Sequence, residues 1–198
     1  GTSFGRPACN EIIALMERSQ GVLWAGTWYG GLARFNKETG QFRYYFGEGD
    51  TLTIPRIRTL FQRTANSFYL GSDDGLYTFN TTTGECLPTD DEQNKESIYA
   101  CYQDREGGIW IGTYFSGVSY LSPKHKDIEW YNPKGPENSL SGNVISQFCE
   151  DPDGNIWIAT EDGGLNLFDP RTKKFKNHLL RSSNPNIGYH NIHALLYN

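Results

Sequence analysis

Apolar residues along this chain fall in short runs rich in β-branched and aromatic side chains. Each run breaks, about every eight residues, at a cluster of Gly, Asp, Asn, Ser or Thr. The stretch 148–169, FCEDPDGNIWIATEDGGLNLFD, shows the pattern. VISQFCED and NIWIAT are separated by PDG, which places Gly154 where the backbone turns left-handed, so the two runs pair as a hairpin. TEDGG then reverses the chain into LNLFD, PRTKK reverses it again, and FKNHLL completes a four-stranded antiparallel meander. Turns this frequent exclude a helical repeat.

The meander recurs. RSQGVLWAGTWYGGLARF, RTANSFYLGSDDGLYTF, DREGGIWIGTYFSGVSYL and DPDGNIWIATEDGGLNLF align on a central aromatic: Trp24, Tyr69, Trp110 and Trp157. Twelve residues before each stands an isoleucine, Ile12, Ile57, Ile98 and Ile145, and Ile192 opens NIHALLYN near the end. Successive isoleucines lie 45, 41, 47 and 47 residues apart, the period of propeller blades. The Gly154 position is Gly21, Asn66 and Gly107 in the other copies, and Asn tolerates the left-handed region best after Gly. The third turn recurs as NKETG and NTTTG, and copy three departs with SPKHKD.

Ile156, Trp157 and Ile158 are consecutive, so both faces of the sheet carry large apolar side chains and both need cover. Stacking successive sheets face to face around an axis supplies it. The predicted fold is therefore all-β, made of β-propeller blades, each a four-stranded antiparallel meander. There are about four blades plus one strand, an arc of a larger propeller of about seven blades. The blades span approximately residues 10–54, 55–95, 96–142 and 143–189, with 190–198 the first strand of a fifth. A four-bladed ring is the alternative. An arc leaves apolar faces at its ends, which self-association into a dimer would cover.

The residues that define the frame also carry a resemblance. An Asp/Gly turn, IWIGT or IWIAT, then GGLN and FD, preceded by NSLS, is similar to the two-component regulator propeller repeat. That resemblance implies the periplasmic sensor region of a Bacteroides-type hybrid two-component system, in which propellers perceive carbohydrate and signal through a membrane helix to a histidine kinase. No kinase motif stands in this sequence. The second copy departs from the pattern, with Tyr69 for Trp and a shorter turn after its second strand.

Charge and composition narrow the partners. A net charge of -5 without Lys/Arg clusters gives no reason to expect nucleic acid. No apolar run approaches the roughly twenty residues that cross a bilayer, and residues 1–10, GTSFGRPACN, lack the apolar core of a signal peptide. Membrane attachment is expected only through segments of the parent chain outside this sequence. Cys9, Cys86, Cys101 and Cys149 show no CxxC and no ligand spacing with the histidines, so neither a metal nor another cofactor is expected. Cys101 and Cys149 fall one column apart on adjacent blades, and stacked sheets lie about 10 Å apart, beyond disulfide reach. Free thiols are the better reading.

In propellers the turns between second and third strands open on the same face as the links between blades. Here those turns are TWYGG, SDDG, TYFSG and TEDGG. They present Trp28, Tyr29, Tyr114 and Phe115 alongside Asp73, Asp74, Glu161 and Asp162 as candidate ligand-binding residues. Aromatic planes stack on sugar rings and carboxylates accept hydrogen bonds from hydroxyls, so the set suits an oligosaccharide. The alternative is that the aromatics pack on neighbouring blades and the acids solvate turns. Trp24, Trp110 and Trp157 recur inside strands and are expected to pack between blades.

A propeller lyase or glycan-processing enzyme would need a histidine or paired acids converging near the axis. His125, His178, His190 and His193 are scattered, and Glu161 and Asp162 are neighbours in one turn rather than a pair across a scissile bond. No catalytic residue is expected. A structural dimerisation module is the remaining alternative.

Overall fold

The computed structural model describes residues 11–19, 21–47, 50–89, 95–124, 128–134, 138–178 and 191–196. The chain divides into two compact units, residues 1–98 and 99–198. No helix among the described residues is long and apolar enough to cross a membrane.

In the first unit, β1 (Ile12–Ser19), β2 (Val22–Thr27), β3 (Leu32–Asn36) and β4 (Gln41–Tyr45) form one antiparallel meander. β5 (Ile57–Thr64), β6 (Ser67–Ser72), β7 (Gly75–Asn80) and β8 (Cys86–Pro88) form the next. In the second unit, β9 (Ile98–Gln103), β10 (Ile109–Thr113), β11 (Val118–Leu121) and β12 (Ile128–Tyr131) precede β13 (Ile145–Glu150), β14 (Ile156–Thr160), β15 (Gly164–Asp169) and β16 (Lys174–His178). The fold is all-β, built of propeller blades.

Within each unit the two sheets pack face to face on aromatic rings. Trp24 meets Phe68 and Phe79 of the next blade edge-on, with centroids 5.1 and 5.6 Å away, and Phe46, Ile54 and Ile57 complete that core. Trp110 meets Phe168 at 5.3 Å beside Phe148, Phe175 and Leu140. Edge-to-face rings add about 0.5–1.5 kcal/mol beyond their buried area. Trp157 differs from these two: it is only partly buried, its ring lies 5.4 Å from His178, and it lines a cleft with Leu165, Leu195 and Leu196.

Glycine sets how closely the sheets approach. A Cβ on Gly26 would lie 2.3 Å from the Ile57 carbonyl oxygen, and one on Gly112 2.5 Å from Ile145 Cγ2. The isoleucine that opens a blade thus sits on the second strand of the blade before it. The fourth copy carries Ala159 at this position, and the Ile192 amide donates to the Thr160 carbonyl beside it at 3.0 Å. Residues 191–196 form no strand in the structure, while the Ser146 hydroxyl donates to the Ile192 carbonyl. Residues 190, 197 and 198 of the expected fifth first strand lie outside the described residues.

Turn chemistry accounts for the sequence frame, with one correction. Gly21, Gly107 and Gly154 are left-handed, at φ 88°, 89° and 83°. Asn66 is not, although Thr64 pairs with Ser67 as Ser19 pairs with Val22 in the first blade. Its amide donates to Thr64 Oγ1 at 3.2 Å, so a local side chain satisfies the turn. In the third turns Asn36 and Asn80 accept from the amides two and three residues on. The left-handed position that follows is Gly40, Gly84 or, in the fourth copy, Lys173 at φ 53°.

The Asp of the first turn also has a structural use in the second unit. Asp104 accepts from the Trp110 indole N–H at 2.9 Å, and Asp151 from that of Trp157 at 3.2 Å. Among the described residues Cys86, Cys101 and Cys149 are free thiols, and Cys9 lies outside them. Burial pushes the Cys86 and Cys101 thiols up to about 12.

Candidate binding turns and their arginine partners

Each turn between second and third strands is pinned from beneath by a buried hydroxyl. Thr27 Oγ1 donates to the Gly31 carbonyl at 2.9 Å and accepts from the Gly30 amide at 2.8 Å. Ser72, Thr113 and Thr160 repeat the arrangement with Gly75, Gly117 and Gly164. All four residues are at most 1% exposed. The hydroxyls replace ladder bonds lost where the chain reverses and hold the residues above them outward.

In the first unit this brings Trp28, Tyr29 and Asp73 together through two arginines. Arg56 follows Pro55 at the entry to β5 and stands at φ 48°, a left-handed conformation uncommon for a long side chain. Its guanidinium lies 4.8 Å from the Trp28 ring centroid and 5.8 Å from that of Tyr29, and Arg58 covers Trp28 at 5.1 Å. Arg56 Nη1 donates to Asp73 Oδ2 at 2.8 Å, Arg58 Nε donates to Oδ1, and Ser97 Oγ reaches Oδ1 at 3.1 Å. Burial raises the Asp73 pKa, but bonding and charge from Arg58 and Arg56, with Ser97, outweigh it and hold the carboxyl below its ordinary value. The Asp73 and Tyr29 oxygens in turn raise Arg56.

The result is an aromatic shelf on which two guanidiniums meet the Asp73 carboxylate, with Tyr29 63% exposed at its rim. Asp74 is exposed next to it, its amide bonded to Ser72 Oγ. Arg56 and Arg58 were missed in the sequence because they lie on the strand that opens the next blade, not in the turns. The signal was present in PRIR, where two cations bracket the opening isoleucine.

In the second unit the candidates have separate duties. Tyr114 stacks on Tyr99 at 4.8 Å, and Phe115 stands edge-on to Tyr114 at 4.3 Å with 73% of its surface exposed. Asp162 accepts from the amides of Asn143 and Val144, at 2.9 and 3.1 Å, and so ties down the link into β13. Glu161 lies 3.3 Å from His193 Nδ1. His178 rests on Trp157, while His125 and His190 lie outside the described residues. No cluster of three or more His, Cys, Asp or Glu among the described residues could hold a metal.

With the blades and turns in place, comparison with known proteins is informative. The two-component regulator propeller model matches residues 92–115 and 139–162, each covering a link, a first strand and the turn after the second. The chain carries two-component regulator propeller repeats. In fold, these repeats are similar to the extracellular domain of a hybrid two-component system from B. thetaiotaomicron (TM-score 0.75, 16% identity, 93% of this chain and 24% of that one). They also resemble a second such domain from that organism (TM-score 0.55, 18% identity, 91% and 33%). Virginiamycin B lyase from Staphylococcus aureus shares the architecture (TM-score 0.63, 10% identity, 90% and 58%). The chain spans about a quarter of the length of the first of these domains. Among curated proteins none matches the chain.

Proposed function

We propose that this chain is a non-catalytic, extracytoplasmic sensor segment of a hybrid two-component signalling protein, periplasmic in location. In this reading it perceives an oligosaccharide and passes the signal to a histidine kinase encoded outside this sequence. The repeat match and the likeness to extracellular two-component domains support the sensor reading. The observation that carries ligand binding is the shelf of Trp28, Tyr29, Arg56, Arg58 and Asp73. Its rings offer stacking planes and its charged groups offer donors and an acceptor for hydroxyls.

The lyase likeness gives an enzyme reading some structural precedent, but the described histidines rest on Trp157 and Glu161 and do not converge. Calorimetric titration with a panel of neutral and acidic oligosaccharides tests the proposal. One or more should bind, and Tyr29→Ala should weaken binding at least tenfold with an unchanged circular dichroism spectrum. Absence of binding across the panel, or turnover of an oligosaccharide by the purified chain, would overturn it.

A further inference from the structure

A second feature of the first unit lies at the other end of the strands, near the β1–β2 turn. A groove of about 580 Å³ runs between the first two sheets, lined by Arg18, Trp24, Arg34, Arg43, Tyr45 and Thr81 among others. None of its lining residues is Asp or Glu. Trp24, Arg34 and Arg43 are direct ladder partners across β2, β3 and β4, so one row of one face leads from a buried indole to two guanidiniums. Arg34 lies 5.9 Å from the Trp24 centroid and Arg43 4.9 Å from that of Tyr45, while Arg18 Nη1 donates to Thr81 Oγ1 at 2.6 Å. The nearby carboxylate of Glu17 is engaged by Lys37 at 2.7 Å.

The fold does not require these arginines. The corresponding row reads Tyr69, Thr78, Leu87 in the second blade, Trp110, Tyr120, Glu129 in the third and Trp157, Leu167, Lys176 in the fourth. Like charges directly opposite on a ladder destabilise it, yet only the first blade places Arg opposite Arg. Arg18 adds a third cation to the groove. It stands six residues before its tryptophan, where Asp104 and Asp151 accept the indole N–H in the second unit. Both blades of the first unit, with Arg18 and Arg63 in this column, carry a cation where the second unit carries a carboxylate, and of the two only Arg18 lines the groove.

We infer that this groove is an anion site for a ligand bearing two or more oxyanion charges, of the phosphate-ester or sulfate-ester class, held by Arg18, Arg34 and Arg43. Such a ligand neutralises the facing arginines and supplies the negative charge that Asp104 and Asp151 supply in the second unit. Planar guanidiniums bind tetrahedral oxyanions through paired N–H bonds, and the apolar walls of Trp24 and Tyr45 strengthen the attraction by limiting water.

The test titrates the full chain with inorganic tripolyphosphate and, separately, with a disulfated disaccharide, following Trp fluorescence and melting temperature. At least one probe should bind with one-to-one stoichiometry, weaken as salt is raised, and raise the melting temperature. Arg34→Gln with Arg43→Gln should lose at least tenfold in affinity, while Arg63→Gln, which stacks on Tyr69 outside this groove, keeps it. Binding of tripolyphosphate without the disaccharide points to a phosphate-bearing occupant, and binding of the disaccharide despite its lower charge points to a sulfate ester. Single Arg43→Gln is the safeguard against misfolding: it relieves the like-charge pair and should leave the ligand-free melting temperature equal or higher. No binding of either probe, or equal binding by wild type and the double variant, overturns the inference. Tyr29→Ala should leave this binding intact, which separates its failure from that of the proposed sensor shelf.

Discussion

Gly26→Ala tests the spacing between blades most directly. Gly26 has no positive φ, so alanine meets no backbone strain there and the substitution isolates one steric contact. The added methyl would stand 2.3 Å from Ile57 O and 2.8 Å from Ile57 Cγ2. The nearer atom is backbone, so no rotamer change at Ile57 relieves it and the second sheet must withdraw. Overpacking of this kind costs about 1–3 kcal/mol. For a chain of this size that lowers the melting temperature by about 2–12 °C. Thermal and urea melts followed by circular dichroism provide the assay. Trimming the neighbour with Ile57→Ala should fail to rescue the variant. The reverse exchange, Ala159→Gly, should also destabilise, by about 1 kcal/mol, because there a buried methyl is lost and chain entropy gained. A Gly26→Ala protein melting within about 1 °C of wild type would refute the argument that glycine sets the approach of the sheets.

Thr113→Val keeps the shape of a buried side chain but removes both hydrogen bonds to its turn, and should cost about 1–3 kcal/mol, read as a lower urea midpoint. Asp73→Asn should alter the acid limb of stability. The folded carboxyl titrates below its ordinary 3.8, so its contribution is complete above that value and is lost as pH falls through the lower folded one. Wild type and variant should therefore differ by a constant amount above about pH 5 and converge below 3.8, as equilibrium melts across that range will show. Ile12, Ile13 and Leu15 are exposed, Leu15 at 67%, so light scattering should detect self-association that Leu15→Glu reduces; a monodisperse wild-type monomer would contradict this.

The blade frame was readable in the sequence because each of its demands falls on a fixed column. Ile57, Ile98 and Ile145 are fully buried, Trp24 and Trp110 pack against the next blade, and Gly21, Gly107 and Gly154 are left-handed. Asn66 departs from that column: its backbone is not left-handed, and its amide donates to Thr64 Oγ1. The candidate shelf was half legible. Its turn residues stand out as variation inside a constant frame, whereas Arg56 and Arg58 arrive from the following blade, and no spacing rule within one repeat links them to Trp28. Trp157 shows the opposite lesson: its column predicts burial between blades, yet burial depends on a neighbour that the repeat itself cannot specify.

The buried hydroxyl column has a consequence for how such a protein diversifies. Thr27, Ser72, Thr113 and Thr160 fix the backbone of each turn from below, and Ser72 does so even where the turn is one residue shorter. The side chains of the two residues above each hydroxyl take no part in that support, although Asp162 ties down the link into β13. Their identity runs from Trp-Tyr to Asp-Asp to Tyr-Phe to Glu-Asp while the hydroxyl beneath keeps the same two bonds. On the function proposed above, recognition would rest on the variable pairs and foldability on the hydroxyl column, so exchanging Trp28-Tyr29 with Tyr114-Phe115 is a route to new ligand preferences.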